Sequence, residues 1–161
     1  MRYLIDTNII SNFTKRAPSQ ALIAWMAEQL DDDLFIASLA LAEIRKGVLE
    51  KPAGKRRDEL ELWFFGSQGP QALFAGRVLP FDAKAALVWA RLMADAKAKG
   101  RPLSALDAII AATAEANDCV VVTGNERDFE DVRTINPMRG AGCGGQGRAR
   151  VVVEFAIERT G

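Results

Sequence analysis

The sequence predicts an α/β fold in which a short parallel sheet is covered by helices on both faces. Short apolar runs alternate with amphipathic helical segments along the chain, which is typical of parallel strands buried on both sides. The length of 161 residues fits one domain. With 49% hydrophobic and 26% charged residues, the composition is that of an ordinary globular protein.

The N-terminal half begins with a strand that ends in an acid. The apolar run at residues 3–5 is followed by Asp6, and Thr7 or Asn8 is then placed to cap a helix. Apolar residues at helical spacing predict a helix over 19–30, which the acidic turn at 31–33 closes. The other predicted elements of this half are a strand over 34–37, a helix capped by Ser38 and running to about residue 50, and a charged helix over 55–65.

The C-terminal half repeats the alternation. Residues 78–81 predict a brief extended segment, and Pro80, which cannot donate a ladder hydrogen bond, indicates an edge of the sheet or the end of a strand. Asp82 caps a helix that Gly100 ends, and Ser104 caps the next helix, over 105–117. Two further strands are predicted over 120–123 and 133–136. Functional groups gather beyond the carboxyl ends of such strands, so residues that follow a strand are the first candidates for a site.

The chain contains no histidine, and this excludes several kinds of site. A Ser-His-Asp triad, a Cys-His dyad, a His-ligated zinc site and an imidazole general base all need that residue. The two cysteines, Cys119 and Cys143, are too few for a zinc site, and Cys119 precedes a valine run that predicts a buried core position. Hydrolytic chemistry must therefore use carboxylates, other polar side chains or a metal ion.

The formal net charge of zero is unevenly distributed. Residues 138–161 hold four Arg against two Glu and six of the thirteen Gly, so residues 1–137 carry a net charge of −2. We expect a folded domain over 1–137 and a Gly-rich basic tail over 138–161 that lies outside the core. No stretch approaches the ~18 apolar residues of a membrane span, and the apolar N-terminal run is too short for a signal peptide. We therefore expect a cytoplasmic protein with no membrane contact.

Four acids occur where an acid is costly or follows a strand. Asp6 and Asp128 come after predicted strands, and Glu43 and Asp107 interrupt apolar stretches near helix starts. Each has a structural alternative: Asp6 and Asp128 as turn or cap residues, Glu43 on an exposed helix edge, and Asp107 in a capping box with Ser104. Strand ends and the starts of the following helices share one edge of such a sheet, so all four are also placed to face one crevice.

Converging carboxylates repel one another and need a counter-charge. A pair about 4 Å apart costs on the order of 4 kcal/mol at an effective dielectric constant near 20. Without His and without an excess of basic residues, a divalent cation is the natural compensation, and all-oxygen ligands select Mg²⁺ or Mn²⁺ over zinc. Such an ion acidifies a bound water and stabilises charge on a phosphoryl group. The residues therefore suggest metal-assisted phosphodiester hydrolysis.

Four motifs, in this order along the chain, carry a resemblance to a known family. They are Leu4-Ile5-Asp6-Thr7-Asn8, Ala42-Glu43-Ile44-Arg45-x-Gly47, Asp107-x-Ile109-Ile110-Ala111-Ala112-Thr113-Ala114 and Val122-Thr123-x-Asn125-x-x-Asp128-Phe129. Together they resemble the PIN-domain ribonucleases, and more narrowly the VapC-type toxins of bacterial toxin–antitoxin pairs. Residues 73–81 and Ile135-Asn136-Pro137 are similar to the FitB-like branch. The resemblance runs from residue 3 to residue 137.

The resemblance implies a three-layer α/β/α sandwich and a metal-dependent endoribonuclease, with Mg²⁺ or Mn²⁺ as the cofactor. It implies RNA as the substrate, inhibition by a cognate antitoxin protein, and assembly as a homodimer or as a toxin–antitoxin hetero-oligomer. Carried over by position, Asp6, Glu43 and Asp107 match the three core acids of the family, and Thr123 matches its hydroxyl position beside the site.

The fourth acidic position of the family is divided between two residues. Its members carry the acid at the position of Asn125 or at that of Asp128, and here the first is an amide. We therefore expect Asp128 to be the outer acid, with Asn125, Asn8 and Thr123 as supporting polar residues. An amide supplies no charge, so the choice between one metal and two stays open.

The mechanistic hypothesis gives all four acids a part in catalysis and in metal binding. Asp6 and Asp107 bind the first ion and Glu43 orients or deprotonates the attacking water, while Asp128 completes the acidic pocket. The alternatives are a catalytically silent PIN-like protein that binds RNA or a partner, and a Mg²⁺-dependent phosphatase-like domain. Asn8 counts against the phosphatase, since haloacid-dehalogenase-type enzymes carry a second Asp two residues after the first.

Two surface features are candidates for partner contacts. Arg45 and Lys46 are placed to contact RNA phosphates, with a solvated helix face as the alternative reading. The segment 60–65 carries five large apolar residues in six positions. Core packing explains some of them, and a dimer face or an antitoxin groove is the alternative.

Overall fold

Five short strands form a fully parallel sheet in the computed structural model, which describes residues 1–139. The strands are β1 (Tyr3–Ile5), β2 (Leu34–Ala37), β3 (Val78–Leu79), β4 (Val120–Val122) and β5 (Thr134–Ile135). Their order across the sheet is β3-β2-β1-β4-β5, and every neighbouring pair is parallel. The predicted parallel sheet is confirmed, with β1 at its centre.

Helices cover both faces of this sheet. Within residues 1–139 they are α1 (Thr7–Phe13), α2 (Gln20–Ala27), α3 (Ser38–Leu49), α4 (Lys55–Phe65), α5 (Pro70–Leu73), α6 (Ala83–Ala98) and α7 (Ala105–Ala116). Crossovers between parallel strands are right-handed, so α1 to α5, which lie between β1 and β3 in the chain, cover one face. The chain then returns from the β3 edge to β4, and α6 and α7 cover the other face. The expected three-layer α/β/α sandwich is confirmed.

The predicted helix caps Asp82 and Ser104 are present, and Ser19 caps α2, for which no cap was predicted. The side chains of Ser19, Asp82 and Ser104 each accept a hydrogen bond from a backbone N–H three residues further on. Gly100, with φ of 67°, follows α6 in the left-handed conformation that favours glycine. The first of these helices, α2, is shorter than predicted, because it ends at Ala27 rather than at residue 30.

Two other predicted helix starts are wrong by one or two residues. Asp6, and not Thr7 or Asn8, is the N-cap of α1, and its carboxylate accepts the Thr7 N–H. Ser38 is already inside α3, whose N-cap is Ala37 without a side-chain hydrogen bond. Both helices begin directly where a strand ends, because sheet pairing fixes the last extended residue and leaves no connecting loop.

The core consists of the sheet and the apolar faces packed on it. Leu4, Ile5 and Val122 are fully buried at the centre of the sheet. Burying a side chain of this size contributes about 1.5–3 kcal/mol. Cys119, at 3% exposure, lies in this core as predicted.

The predicted tail falls mostly outside the described residues. Its segment 140–161, including Cys143, is not described, and the domain boundary at residue 137 stays a prediction. Met138 and Arg139 lie in a short 3₁₀ helix, Pro137–Arg139. Met138 packs partly buried against the core, and Arg139 pairs with Glu126 at 2.8 Å.

In the part of the chain that the structure describes, no helix is long and apolar enough to cross a membrane.

Candidate active site

Asp6 lies at the carboxyl end of the central strand and is almost completely buried, with 5% exposure. Its backbone N–H donates to the Val122 carbonyl at 3.0 Å, which joins the ends of β1 and β4. Its Oδ1 accepts from the Thr7 N–H at 2.7 Å. Its Oδ2 accepts from Asn8 Nδ2 at 2.7 Å and from Thr123 Oγ1 at 2.8 Å. Three uncharged donors therefore fix the orientation of this carboxylate without neutralising it.

Thr123 connects the turns that follow β1 and β4. Its fully buried hydroxyl donates to Asp6 and accepts from Asn8 Nδ2 at 3.1 Å and from the Asn125 N–H at 3.0 Å. Asn8 Oδ1 in turn accepts from the Gly124 N–H at 2.9 Å. The three residues predicted to support the site thus form one hydrogen-bonded network around Asp6.

Glu43 is brought to the site by α3, where it is partly exposed. Thr7 Oγ1 donates a hydrogen bond to its Oε2 at 2.6 Å, while the Thr7 backbone bonds Asp6. Thr7 is therefore a site residue that sequence reasoning treated only as a helix cap. The position of Thr7 directly after Asp6 could have indicated a role in the site. Its partner Glu43 lies 36 positions away in the chain, so no local pattern predicts the contact.

Asp107 and Asp128 line a second part of the site. Asp107 lies in the first turn of α7, where its backbone N–H donates to Ser104 Oγ at 3.3 Å. Asp128 lies in the 3₁₀ helix Glu126–Phe129, and its Oδ2 accepts from Asn125 Nδ2. The two acids line one cavity of about 340 Å³. The Asn125 amide thus contacts Asp128, as expected of a supporting residue.

Burial and acidic neighbours raise the pKa values of Asp6 and Asp107. Burial raises the pKa of Asp6 from 3.8 to about 6, and the charges of Asp107 and Glu43 add to the effect against the lowering by its hydrogen bonds from Thr123 and Thr7. Burial also raises the pKa of Asp107, a Ser104 hydrogen bond lowers it, and the charges of Asp128 and Glu43 raise it further. Asp107 therefore lies within electrostatic reach of the other three predicted acids.

No cation of residues 1–139 forms an ion pair with this cluster. Among residues 1–139, none of the four acids forms an ion pair, although other acids of the chain do. Within the same residues, no three acidic, Cys or His side chains are already arranged to hold a metal ion by themselves. Mg²⁺ usually keeps several water ligands and binds proteins through one or two carboxylates. The all-oxygen, uncompensated donor set fits such a hydrated ion.

The two predicted RNA-contact residues lie in different surroundings. Arg45 pairs with Glu61 at 2.8 Å and lies over the ring of Phe65 at 4.9 Å, so it contacts α4. Lys46 is exposed, pairs with Glu50 at 3.5 Å and lines the cavity that Glu43 also lines. Of these two, Lys46 is the cation that the structure brings near a site acid.

The apolar segment 60–65 divides between core and surface. Leu60, Trp63 and Phe64 are buried, which accords with core packing. Leu62 and Phe65 remain 76% and 59% exposed. The segment therefore leaves an apolar edge on the outside of α4.

The chain is similar to proteins of one family over most of its length. The family model described as "PIN domain" matches residues 3–135. The chain is 39% identical over 140 residues to VapC ribonuclease Y4jK of Sinorhizobium fredii, which covers 86% of this chain and 99% of that protein. It is 35% identical over 136 residues to toxin FitB of Neisseria gonorrhoeae, covering 83% of this chain and 96% of that one.

A solved structure shares the fold. The crystal structure of FitAcB from Neisseria gonorrhoeae matches with a TM-score of 0.77 and 34% sequence identity, over 84% of this chain and 97% of that chain.

Proposed function

The chain belongs to the PIN-domain family, and we propose that it is an endoribonuclease that acts as the toxin of a toxin–antitoxin pair in the cytoplasm. The observation that carries the proposal is the buried Asp6 with its acidic neighbours at the carboxyl edge of the sheet, where no cation of residues 1–139 pairs with them. The names of two relatives, a VapC ribonuclease and a FitB toxin, supply the substrate class and the biological role.

Mg²⁺, with Mn²⁺ as a substitute, is the proposed cofactor. Asp6 and Asp107 would hold it, with Glu43 and Asp128 contributing negative charge on either side. When bound, such an ion lowers the pKa of a bound water and neutralises charge that develops on the phosphate. This support comes from the chemistry of the donor set, because burial and acidic neighbours raise the pKa values of Asp6 and Asp107, and neither forms an ion pair with residues 1–139.

Hydrogen bonds from neighbouring side chains position three of the four acids. Thr7 fixes one oxygen of Glu43 at 2.6 Å, which leaves the other oxygen to accept the proton of the attacking water. Thr123 and Asn8 hold Asp6 in a single orientation. Asn125 holds Asp128 at the outer side of the pocket, as expected if Asp128 fills the fourth acidic position.

A cleavage assay tests the proposal. The protein, purified free of any partner, is incubated with labelled single-stranded RNA in Mg²⁺ or in EDTA. We expect cleavage only with the metal, and a loss on the order of 10²–10³-fold in Asp6→Asn, the scale of removing one transition-state-stabilising group. Asp32→Asn is the matched control, since Asp32 is exposed and forms no ion pair within residues 1–139.

Three outcomes of that assay contradict the proposal or part of it. Cleavage that continues in EDTA rules out the metal mechanism. Equal rates for Asp6→Asn and wild type remove Asp6 from catalysis. RNA binding without any cleavage favours the binding-only alternative over an enzyme.

A cognate antitoxin protein is the proposed partner, and assembly as a homodimer or as a hetero-oligomer with that antitoxin is proposed with it. The solved FitAcB structure and the exposed apolar edge at Leu62 and Phe65 support a protein partner. Co-expression with the small open reading frame next to this gene tests it. A stable complex that suppresses RNA cleavage is expected, and a neighbour that neither binds nor inhibits contradicts the toxin role.

A further inference from the structure

A groove leads away from the candidate active site between α1 and α3. It is a cavity of about 400 Å³ that Glu43 lines at the site end. Thr7, Ser11 and Thr14 line it from α1, and their spacing of i, i+4 and i+7 puts all three hydroxyls on one face of that helix. Hydroxyl groups are common phosphate contacts in nucleic-acid complexes.

The opposite wall is open and carries two lysines and one acid. Lys46, Gly47 and Glu50 line it at the end of α3, Lys51 follows that helix, and Lys46 pairs with Glu50 at 3.5 Å. Lys51 is exposed and forms no ion pair with residues 1–139. Gly47 has no atom within 4 Å of the position that a Cβ would take, so nothing occupies the middle of the groove. From Glu43 to its last residue, Leu49, α3 rises ~9 Å, and Lys51 follows two residues later.

The groove continues onto a second basic surface. Thr14 also lines a neighbouring cavity of about 560 Å³ together with Arg16 and Arg56. Arg56 Nη2 donates to the Thr14 carbonyl at 2.7 Å, which fixes the start of α4 against the end of α1. Four cations, Lys46, Lys51, Arg56 and Arg16, therefore lie along a path that begins at Glu43, and Glu59, which also lines the second cavity, pairs with Arg56 at 3.5 Å.

The cavity on the other side of the acids differs in charge. There, Arg101 pairs with Glu130, and Asp131 pairs with Lys99. Arg127 is the cation lining that cavity which forms no ion pair with residues 1–139. On the groove side, Lys51 and, in the neighbouring cavity, Arg16 form no ion pair with residues 1–139, whereas in the opposite cavity this holds for Arg127 alone, beside four acids.

We propose that this groove, with Arg16 and Arg56 beyond it, binds the phosphodiester backbone of single-stranded RNA on one side of the scissile phosphate. The assignment rests on the proposed function, because it takes Glu43 as the catalytic end of the path. Lys46 and Lys51 neutralise phosphates, and the Ser11 hydroxyl donates to them, since the Thr7 and Thr14 hydroxyls already donate to Glu43 and to the Ser11 carbonyl. Bases face solvent or the open space over Gly47, so the groove binds RNA without reading its sequence.

Equilibrium binding to a labelled oligouridylate tests this site separately from cleavage. Binding is measured with Mg²⁺ at several salt concentrations in the Asp6→Asn protein, which is expected not to cleave. Lys51→Ala and Arg16→Ala are each expected to weaken binding by about 3–10-fold at low salt and to reduce the salt slope by about 0.7, the effect of one lost phosphate contact with a single strand.

Two matched controls accompany these variants. Lys84 is an exposed lysine at the start of α6. Since Arg91 of α6 contacts Glu115 near the end of α7 at 2.6 Å, Lys84 lies at the far end of this helix pair from Asp107, and Lys84→Ala should change nothing. Gly47→Glu puts a charge into the groove and should weaken binding at least as much as Lys51→Ala, while Gly47→Ala should stay within about twofold of the parent.

The outcomes distinguish a failure of the groove proposal from a failure of the proposed nuclease function. If the groove substitutions weaken RNA binding but the wild type never cleaves RNA, the groove proposal is supported and the nuclease proposal is overturned. Cleavage by the wild type, with Lys51→Ala and Gly47→Glu binding RNA as Lys84→Ala does, overturns the groove alone. If these substitutions leave RNA affinity unchanged but weaken antitoxin binding, the groove binds the protein partner, and the RNA assignment is overturned.

Discussion

The carboxylates at the carboxyl ends of β1 and β4 differ from those on the outer surface of α6 and α7 in what balances their charge. On that surface Glu115 accepts from Arg91 at 2.6 Å, and Asp131 accepts from Lys99 at 2.7 Å. The Lys99 hydrogen bond lowers the pKa of Asp131 below its usual value. Burial among other acids instead raises the pKa of Asp6 to about 6.

This difference explains how a chain of zero net charge can hold an acidic centre. Several surface acids pair with basic neighbours, whereas none of the four site acids forms an ion pair with residues 1–139. Buried and mutually repelling carboxylates destabilise the metal-free protein. We interpret this loss of stability as a consequence of having a site that is prepared to bind a cation from solution.

The largest expected effect is on the pH dependence of stability, which tests the difference between the site acids and the surface acids. Because the pKa of Asp6 is raised, its favourable contribution to the unfolding free energy is fully present below pH ~3.8. This contribution is lost as the pH rises through about 6. In EDTA, the unfolding free energy of wild type relative to Asp6→Asn should therefore fall by about 3 kcal/mol between these limits, at about 1.36 kcal/mol per pKa unit. Urea unfolding of both proteins across this pH range measures it.

Asp131→Asn is the control with the opposite sign. Because the pKa of Asp131 is lowered, its contribution is present above its unfolded pKa and is lost as pH falls. The effect should be small, since the pair is exposed. An unfolding free-energy difference between wild type and Asp6→Asn that does not change with pH would remove the basis of the comparison.

Thr7 gives a smaller and more local test. Its hydroxyl is the donor that orients Glu43 at 2.6 Å, whereas its backbone N–H bonds Asp6 and survives substitution. Thr7→Val should lower kcat for RNA cleavage by about tenfold, corresponding to ~1.4 kcal/mol, with KM and Mg²⁺ affinity little changed. Thr7→Ser should restore kcat, and a Thr7→Val protein with wild-type kcat would show that Glu43 needs no positioning.

Much of the fold could be predicted because its signals are local. The apolar runs that became β2 and β4 are short, uninterrupted and flanked by polar residues, which favours buried parallel strands. Ser104 and Asp82 were recognisable as caps because the helical pattern starts one residue later. Ser38 and Asn8 have the same chemistry but lie where sheet pairing ends, so local propensity gave the wrong cap.

The candidate site could be predicted only in part. The four acids stood out because each breaks an apolar pattern or follows a strand, and their placement at one edge follows from the parallel topology. The pairing of Thr7 with Glu43 and that of Arg45 with Glu61 depend on how α1, α3 and α4 pack. Contacts between residues that are distant in the chain are set by tertiary packing, and no single segment encodes them.

Direct titration with Mg²⁺ tests the central claim that the unpaired acids form a cation site. Isothermal calorimetry at neutral pH is performed on wild type, on Asp6→Asn and on Asp131→Asn as the surface control. We predict that wild type and Asp131→Asn bind Mg²⁺ with similar affinity, and that Asp6→Asn binds at least ~10-fold more weakly because one charged ligand is lost. Equal Mg²⁺ affinity in wild type and Asp6→Asn, or no binding to wild type at all, would contradict the claim.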